Sequence, residues 1–220
     1  MSEVLQSIVI DSGPNPQIAI IWLHGLGADG HDFEPLADEL QLPAPVRYIF
    51  PDAPMRPVTI NGGFVMRAWY DITEMNIAAR PDDAGIRDSQ AKIETLIQRE
   101  GERGIPPDRI FLAGFSQGGA IALHTALRQT RPLAGVLALS TYLPLAERAS
   151  GERQAGTLDT PIFMAHGRSD TVIPQILGQA SAESLKALGY RVDWHDYPMA
   201  HSVCADELRD IERWLAAHMG

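Results

Sequence analysis

The chain has 220 residues, of which 45% are hydrophobic and 21% charged, and its formal net charge is -10. That balance fits one folded domain over residues 1–220 and excludes a long disordered or low-complexity tract. The negative charge excludes sequence-independent nucleic-acid binding and purely electrostatic docking on anionic lipid, both of which need cations to neutralise phosphate.

The N-terminal stretch MSEVLQSIVID carries Glu3 and Asp11 and lacks both a basic start and an apolar core. No secretion signal is read there, and a cytoplasmic location is expected. Strands are predicted, in chain order, over roughly Leu5 to Ile10, Ile18 to His24, Val46 to Phe50, Arg109 to Phe115, Ala134 to Ser140, Pro161 to His166 and Arg191 to Tyr197. Several are continuous apolar runs, as burial on both faces of a parallel sheet requires. All are too short to cross a bilayer, so stable membrane insertion is not expected. The segment from Pro51 to Asp71 lacks clear periodicity and reads as a long functional loop.

Further along, Ile86, Ile93, Leu96 and Ile97 recur at helical spacing. Gly118, Gly119, Ala120 and Ala122 form a small-residue stretch that would let a helix approach the sheet closely. Leu208, Ile211 and Leu215 mark a C-terminal helix with Asp206 and Glu207 in its first turn, where acids complement the helix dipole. The alternation of strands and helices predicts an α/β fold with a mostly parallel central sheet and helices on both faces. The single cysteine, Cys204, excludes an intramolecular disulfide and reads as a small structural residue near a helix start.

Gly114, Ser116 and Gly118 form GxSxG between the Arg109 to Phe115 strand and the small-residue helix, the context of a nucleophile elbow. A serine hydroxyl is a weak nucleophile and needs a base, itself oriented by a carboxylate. After such an elbow the acid follows, and then the histidine. Asp170, in HGRSD after the Pro161 to His166 strand, lies on the loop at the sheet edge that also carries Ser116, whereas Asp159 precedes that strand. His201, in PMAHSV after the last strand, emerges at the same edge. Of the competing histidines, His195 lies within a strand, His124 within a helix, and His31 and His218 read as surface residues.

An oxyanion site needs preset backbone N–H donors. Gln117, directly after the nucleophile, supplies one, and the glycine-rich HGLGADG loop after an early strand supplies the other, with the Leu26 amide first choice. The same loop contains GxGxxG at Gly25, Gly27 and Gly30, with Asp52 beyond the next strand, a pattern shared with dinucleotide-binding oxidoreductases. That pattern starts a helix at the glycines, but Pro35 moves the helix start to about Asp32 to Glu34 and leaves Gly30 in the loop. A binding protein of the same fold that has lost catalysis is a third reading, and the three filled positions Ser116, Asp170 and His201 argue against it.

Together HGLGADG, GFSQGGA, the WYD of residues 69–71, HGRSDTVIP and PMAHSV resemble the phospholipase/carboxylesterase family of α/β-hydrolases, which includes acyl-protein thioesterases. The resemblance covers nearly the whole chain. It implies a Ser116, Asp170 and His201 triad with Leu26 and Gln117 as oxyanion donors, in agreement with the residue reading. It further implies hydrolysis of small acyl esters or thioesters with no cofactor and no metal. Lipidated proteins or lysophospholipids with long acyl chains are the alternative substrates, and weak homodimers occur in the family. Bacterial members often have glycine before the triad histidine, where this chain has Ala200. By the same resemblance, Pro51 to Asp71 looks like a variable flap over an acyl groove of limited depth. Leu26, Met55, Phe64, Val65, Met66 and Trp69 would line that groove; alternatively, the flap side chains only cover the sheet edge.

Overall fold

Alternate residues of strand β2 (Ile18–Leu23) enter two different cores: Ile18, Ile20 and Trp22 join one apolar cluster, and Ala19, Ile21 and Leu23 the other. This is the pleat of a strand covered on both sides, and it explains the unbroken apolar run in the sequence. The same division recurs in β6 (Ile110–Phe115) and β8 (Ile162–Gly167). The computed structural model describes residues 4–74 and 81–220; residues 1–3, which include Glu3, lie outside the described residues.

With β1 (Ser7–Asp11), β3 (Val46–Pro51), β7 (Gly135–Leu139) and β9 (Val192–Tyr197), these strands form a seven-stranded sheet in the order β1-β3-β2-β6-β7-β8-β9. Only the β1–β3 pairing is antiparallel; the other five are parallel. Helices α2 (Asp83–Glu102), α3 (Gln117–Ala126), α4 (Ala146–Glu152) and α5 (Gln175–Ala187) bury residues in one core. The short α1 (Leu36–Glu39) and α6 (Ala205–His218) bury theirs in the other. This is the α/β-hydrolase architecture expected from the sequence. No described helix is long and apolar enough to cross a membrane.

Two local features differ from the sequence reading. The segment from Pro51 to Asp71 is not an unstructured loop: β4 (Met55–Val58) and β5 (Phe64–Arg67) pair antiparallel in a separate hairpin. Its turn depends on Gly62 and Gly63, with φ of 68° and 78°, and Asp71 ties Thr59 through that residue's N–H and hydroxyl. After the glycine-rich loop, a single 3-10 turn at Gly30–Asp32 precedes α1, whose N-cap is Pro35, so the α-helix starts later still than expected. Proline suits that position because it has no N–H to leave unpaired.

Glu207, read as a first-turn acid facing the dipole, is fully buried. Neither carboxyl oxygen has a well-formed hydrogen bond among the described residues. Burial pushes its carboxyl up to about 8, against an opposing pull from the Cys204 backbone N–H, and the nearby Asp210 adds to the rise. Above the ordinary glutamate range and below about 8, the folded chain therefore holds a proton that the unfolded chain has released. Stability should fall as pH rises through that window and level off above it. Replacing Glu207 by Gln removes this slope, so its advantage over the parent should grow between pH 5 and 9. A gain of about 1 kcal/mol corresponds to roughly 2–4 °C in Tm for a chain of this size; calorimetric scans at several pH values measure it, and parallel Tm profiles would refute the assignment.

Candidate active site

Parallel strands bring the loops that follow β2, β6, β8 and β9 to one edge of the sheet. The crevice lies where the chain order reverses, between the C-terminal ends of β2 and β6. Ser116 sits there between β6 and α3, with φ 54° and ψ -119°. A side chain rarely adopts this backbone, and the surroundings hold it: Ser116 N–H donates to Leu139 O at 2.8 Å, and Thr141 Oγ1 donates to Ser116 O at 2.6 Å. The turn also needs its glycines. A Cβ on Gly118 would lie 2.4 Å from Leu23 O, and one on Gly114 would lie 2.4 Å from the Gly118 carbonyl carbon.

The loops after β8 and β9 supply Asp170 and His201. They are joined by backbone hydrogen bonds from Arg168 N to Tyr197 O at 2.9 Å and from Ser169 N to Met199 O at 3.0 Å. The Asp170 side chain is fully buried. Its Oδ1 accepts the Val172 and Ile173 amides, each at 2.9 Å, and its Oδ2 lies 2.7 Å from His201 Nδ1. His201 Nε2 is 2.9 Å from Ser116 Oγ. A carboxylate accepts only, so the His201 proton resides on Nδ1 and Nε2 faces the serine hydroxyl as an acceptor. The Phe115 ring packs on the imidazole at a centroid distance of 4.7 Å.

Across the crevice, the glycine-rich loop is fixed by residues distant in sequence. His24 is buried, and its Nε2 accepts the Ala53 amide at 3.0 Å while Nδ1–H donates to Gly25 O at 2.7 Å; burial lowers its affinity for a second proton. Trp69 Nε1 donates to His24 O at 2.9 Å. The Gln117 side chain in turn accepts from Trp69 N and donates to Tyr70 O, both at 2.7 Å. Among the described residues, the Leu26 and Gln117 amides donate to no protein group, and both residues line the same cavity as Ser116.

That cavity has a volume of about 340 Å³ and a mainly apolar wall, which includes Leu26, Ile72, Phe115, Tyr142 and Ile173. Tyr70 and Tyr142 meet there through their hydroxyls at 3.0 Å, and burial raises both phenols, Tyr142 to about 12. Of the predicted groove residues, only Leu26 reaches this wall. Trp69 is fully buried and serves as an anchor. Phe64 and Val65 stand on the hairpin, 68% and 52% exposed, and Met55 is also exposed. Met66 is half-buried, with its Sδ within 3.5 Å of Asn61 Nδ2. A two-stranded hairpin with no covering layer turns these side chains outward, so the cavity is closed instead by Tyr70, Ile72 and the loop after Asp170. Sequence reasoning did not find Tyr142, Ile72 or Ile173, which lie far apart in the chain and carry no motif.

The other histidines sit elsewhere. His195 stacks on Phe163 at 4.6 Å, His31 is an exposed partner of Glu34, and His218 packs on Trp214. His124 is enclosed in α3, where burial lowers it to about 3. Among the described residues, no group of three or more His, Cys, Asp or Glu could hold a metal ion. Asp52, the candidate ribose acid of the dinucleotide reading, instead accepts the Gly30 amide at 2.9 Å and pairs with Arg67 at 2.9 Å.

Residues 5–219 match the family described as Phospholipase/Carboxylesterase. The chain is 41% identical over 211 residues to acyl-protein thioesterase 1 of Neurospora crassa, covering 91% of this chain and 86% of that protein. It is 39% identical to acyl-protein thioesterase 1 of Yarrowia lipolytica, covering 89% of each. Among solved structures, it is similar to SOBER1 of Arabidopsis thaliana, with a TM-score of 0.88, 31% identity and coverage of 92% of this chain and 99% of that one. For acyl-protein thioesterase 2 of Zea mays the TM-score is 0.87, at 29% identity and 98% and 99% coverage.

The double hydrogen bond of the Gln117 side chain can be tested directly. Gln117→Leu keeps the bulk but leaves the Trp69 N–H and the Tyr70 carbonyl unpaired in the interior, and an unsatisfied buried group costs about 1–3 kcal/mol. The urea midpoint should fall by an equivalent of at least about 2 kcal/mol with an unchanged m-value. An unchanged midpoint would mean that these bonds do not hold the loop.

Proposed function

Because the chain belongs to the phospholipase/carboxylesterase family of α/β-hydrolases, we propose that it hydrolyses carboxylic esters and thioesters through an acyl-enzyme on Ser116. The observation that carries this reading is the unbroken line from Ser116 Oγ to His201 Nε2 at 2.9 Å and from His201 Nδ1 to Asp170 Oδ2 at 2.7 Å, opening into an apolar cavity. His201 takes the Ser116 proton as the oxygen attacks the carbonyl carbon, then returns it to the leaving alcohol or thiol. A water activated by the same imidazole releases the acid. Asp170 keeps the imidazole in its Nδ1–H tautomer and stabilises its cation. The free amides of Leu26 and Gln117 receive the oxyanion, and each such donor is worth on the order of a hundredfold in rate. Thioesters suit the site because a thiol with pKa near about 8.5 departs with little protonation.

The acyl chain occupies the cavity between Leu26, Tyr142 and Ile173, whose described lining holds no Lys or Arg to pair with an anionic acyl group. A second reading, in which the acyl group is carried on a protein cysteine, is favoured by the acyl-protein thioesterases among the relatives. The exposed Phe64, Val65, Val172 and Ile176 leave apolar surface at the hairpin and beside the acid loop for a larger substrate.

Ser116→Ala should lower ester turnover by at least about three orders of magnitude in a folded protein. A fluorophosphonate should add one label, on Ser116, and labelling elsewhere would overturn the assignment. On a series of acyl esters and thioesters, kcat/KM should climb by up to about 0.8 kcal/mol per methylene until the cavity is full, then level off. Ile72→Ala should move that limit to longer chains and Phe64→Ala should not. An optimum at palmitoyl length in the parent would instead favour the lipidated-protein reading.

A further inference from the structure

The acid loop rests on a histidine that the mechanism above does not use. His166 is the penultimate residue of β8, four residues before Asp170, and its side chain is buried. Its Nε2 lies 2.8 Å from Ile173 O and 3.4 Å from Asp170 Oδ2, the oxygen that also faces His201. A carbonyl oxygen only accepts, so the proton is on Nε2 and is given to Ile173 O, while Asp170 Oδ2 lies beside it without a hydrogen bond. Burial lowers the proton affinity of this imidazole, in keeping with a single proton, and its Nδ1 has no partner among the described residues. The turn that His166 grips at Ile173 is the one whose Val172 and Ile173 amides hold Asp170 Oδ1. The far side of the ring is set by α5, where a Cβ on Gly178 would lie 2.5 Å from His166 Nδ1 and 3.1 Å from the Trp194 ring.

We propose that His166 is a positioning residue for the acid of this site, seated by Gly178, and that its Nε2–H, by holding Ile173 O, fixes the 170–173 turn so that Asp170 faces His201. The inference rests on the Ser116, His201 and Asp170 reading. A partner that orients a reacting group typically changes activity by about 10–100-fold when it is lost, although it touches no substrate.

The test uses His166→Phe, His166→Gln and Gly178→Ala in the full chain, with kcat and KM on one short acyl ester and the proton NMR signal of the His201 Nδ1–H. His166→Phe should lower kcat about tenfold or more, leave KM within about twofold, and shift or broaden the downfield Nδ1–H resonance. His166→Gln, whose amide can donate toward Ile173 O, should recover most of the rate. Gly178→Ala is the sharper probe, because it removes no polar group. Alanine is the better helix former, but its Cβ would lie 2.5 Å from His166 Nδ1 and 3.1 Å from the Trp194 ring, so the imidazole must shift. A fall in kcat with the same spectral change in protein that remains folded supports the proposal. Parent-like kcat and resonance in Gly178→Ala, together with a wild-type rate in His166→Phe or its failure to fold, overturn it. Fluorophosphonate labelling separates the two levels: loss of labelling at Ser116 in the parent sinks the site reading itself, whereas normal labelling with unchanged variants sinks only the role of His166.

Discussion

The left-handed backbone at Ser116 is the constraint around which the site is arranged. A non-glycine residue held there costs about 1–3 kcal/mol, so the surroundings must favour this geometry over relaxation into an ordinary turn. They do so through both peptide groups of the serine: its N–H reaches across to Leu139 O, and its carbonyl is held by Thr141 Oγ1 and by the Ala120 amide. The reversal also drives the start of α3 against the end of β2, where only glycine fits at residue 118. The close approach that permits the turn therefore also brings the glycine-rich loop, which continues β2, within reach of Ser116.

Around this point two subassemblies meet, and each is internally tied. On one side, the acid and base loops share backbone hydrogen bonds, so Asp170 and His201 move together rather than as independent side chains. On the other, His24, Trp69 and Gln117 connect the glycine loop, the segment after the hairpin and the first turn of α3. Gln117 belongs to both structure and chemistry: its side chain fixes residues 69 and 70 while its amide stays free. Rigid positioning of unpaired amides is what an oxyanion site needs, because the donors then do not have to reorganise as charge develops.

Much of this was legible in the sequence for identifiable reasons. The inner strands of the sheet announce themselves because burial on both faces demands apolar runs such as Ile18 to Leu23. GFSQGG is legible because a strand must reverse there and bulky neighbours are sterically forbidden. The hairpin at Met55–Val58 and Phe64–Arg67 was not legible: its strands are four residues each, contain Pro57, and present no buried face with a period of two. The family resemblance placed Phe64 and Trp69 along one groove, whereas the structure exposes one and buries the other. His166, Glu207 and the side chain of Gln117 carry their significance in contacts and burial that no local spacing encodes. The HGRSD motif did contain the signal for His166, since it shares that motif with Asp170, but a histidine at a strand end reads the same whether it grips a turn or fills space.

The glycine-rich loop shows how one local pattern serves unrelated chemistry according to where its amides go. A dinucleotide site needs several free N–H groups converging on a pyrophosphate at a helix N-terminus. Here the Gly27 amide donates to Arg67 O, Ala28 to Gly25 O, Gly30 to Asp52 Oδ1 and His31 to Asp29 Oδ1. Two of those acceptors are carboxylates, whose charge opposes a phosphate in the same place. The first α-helix after the loop starts only at Leu36 and spans four residues, too short to present a substantial dipole. What the loop leaves available is the Leu26 amide, facing the cavity with that of Gln117. Two amides suit a single oxyanion better than a diphosphate, and the Gly27 and Gly30 amides of the loop are already taken by Arg67 O and Asp52 Oδ1.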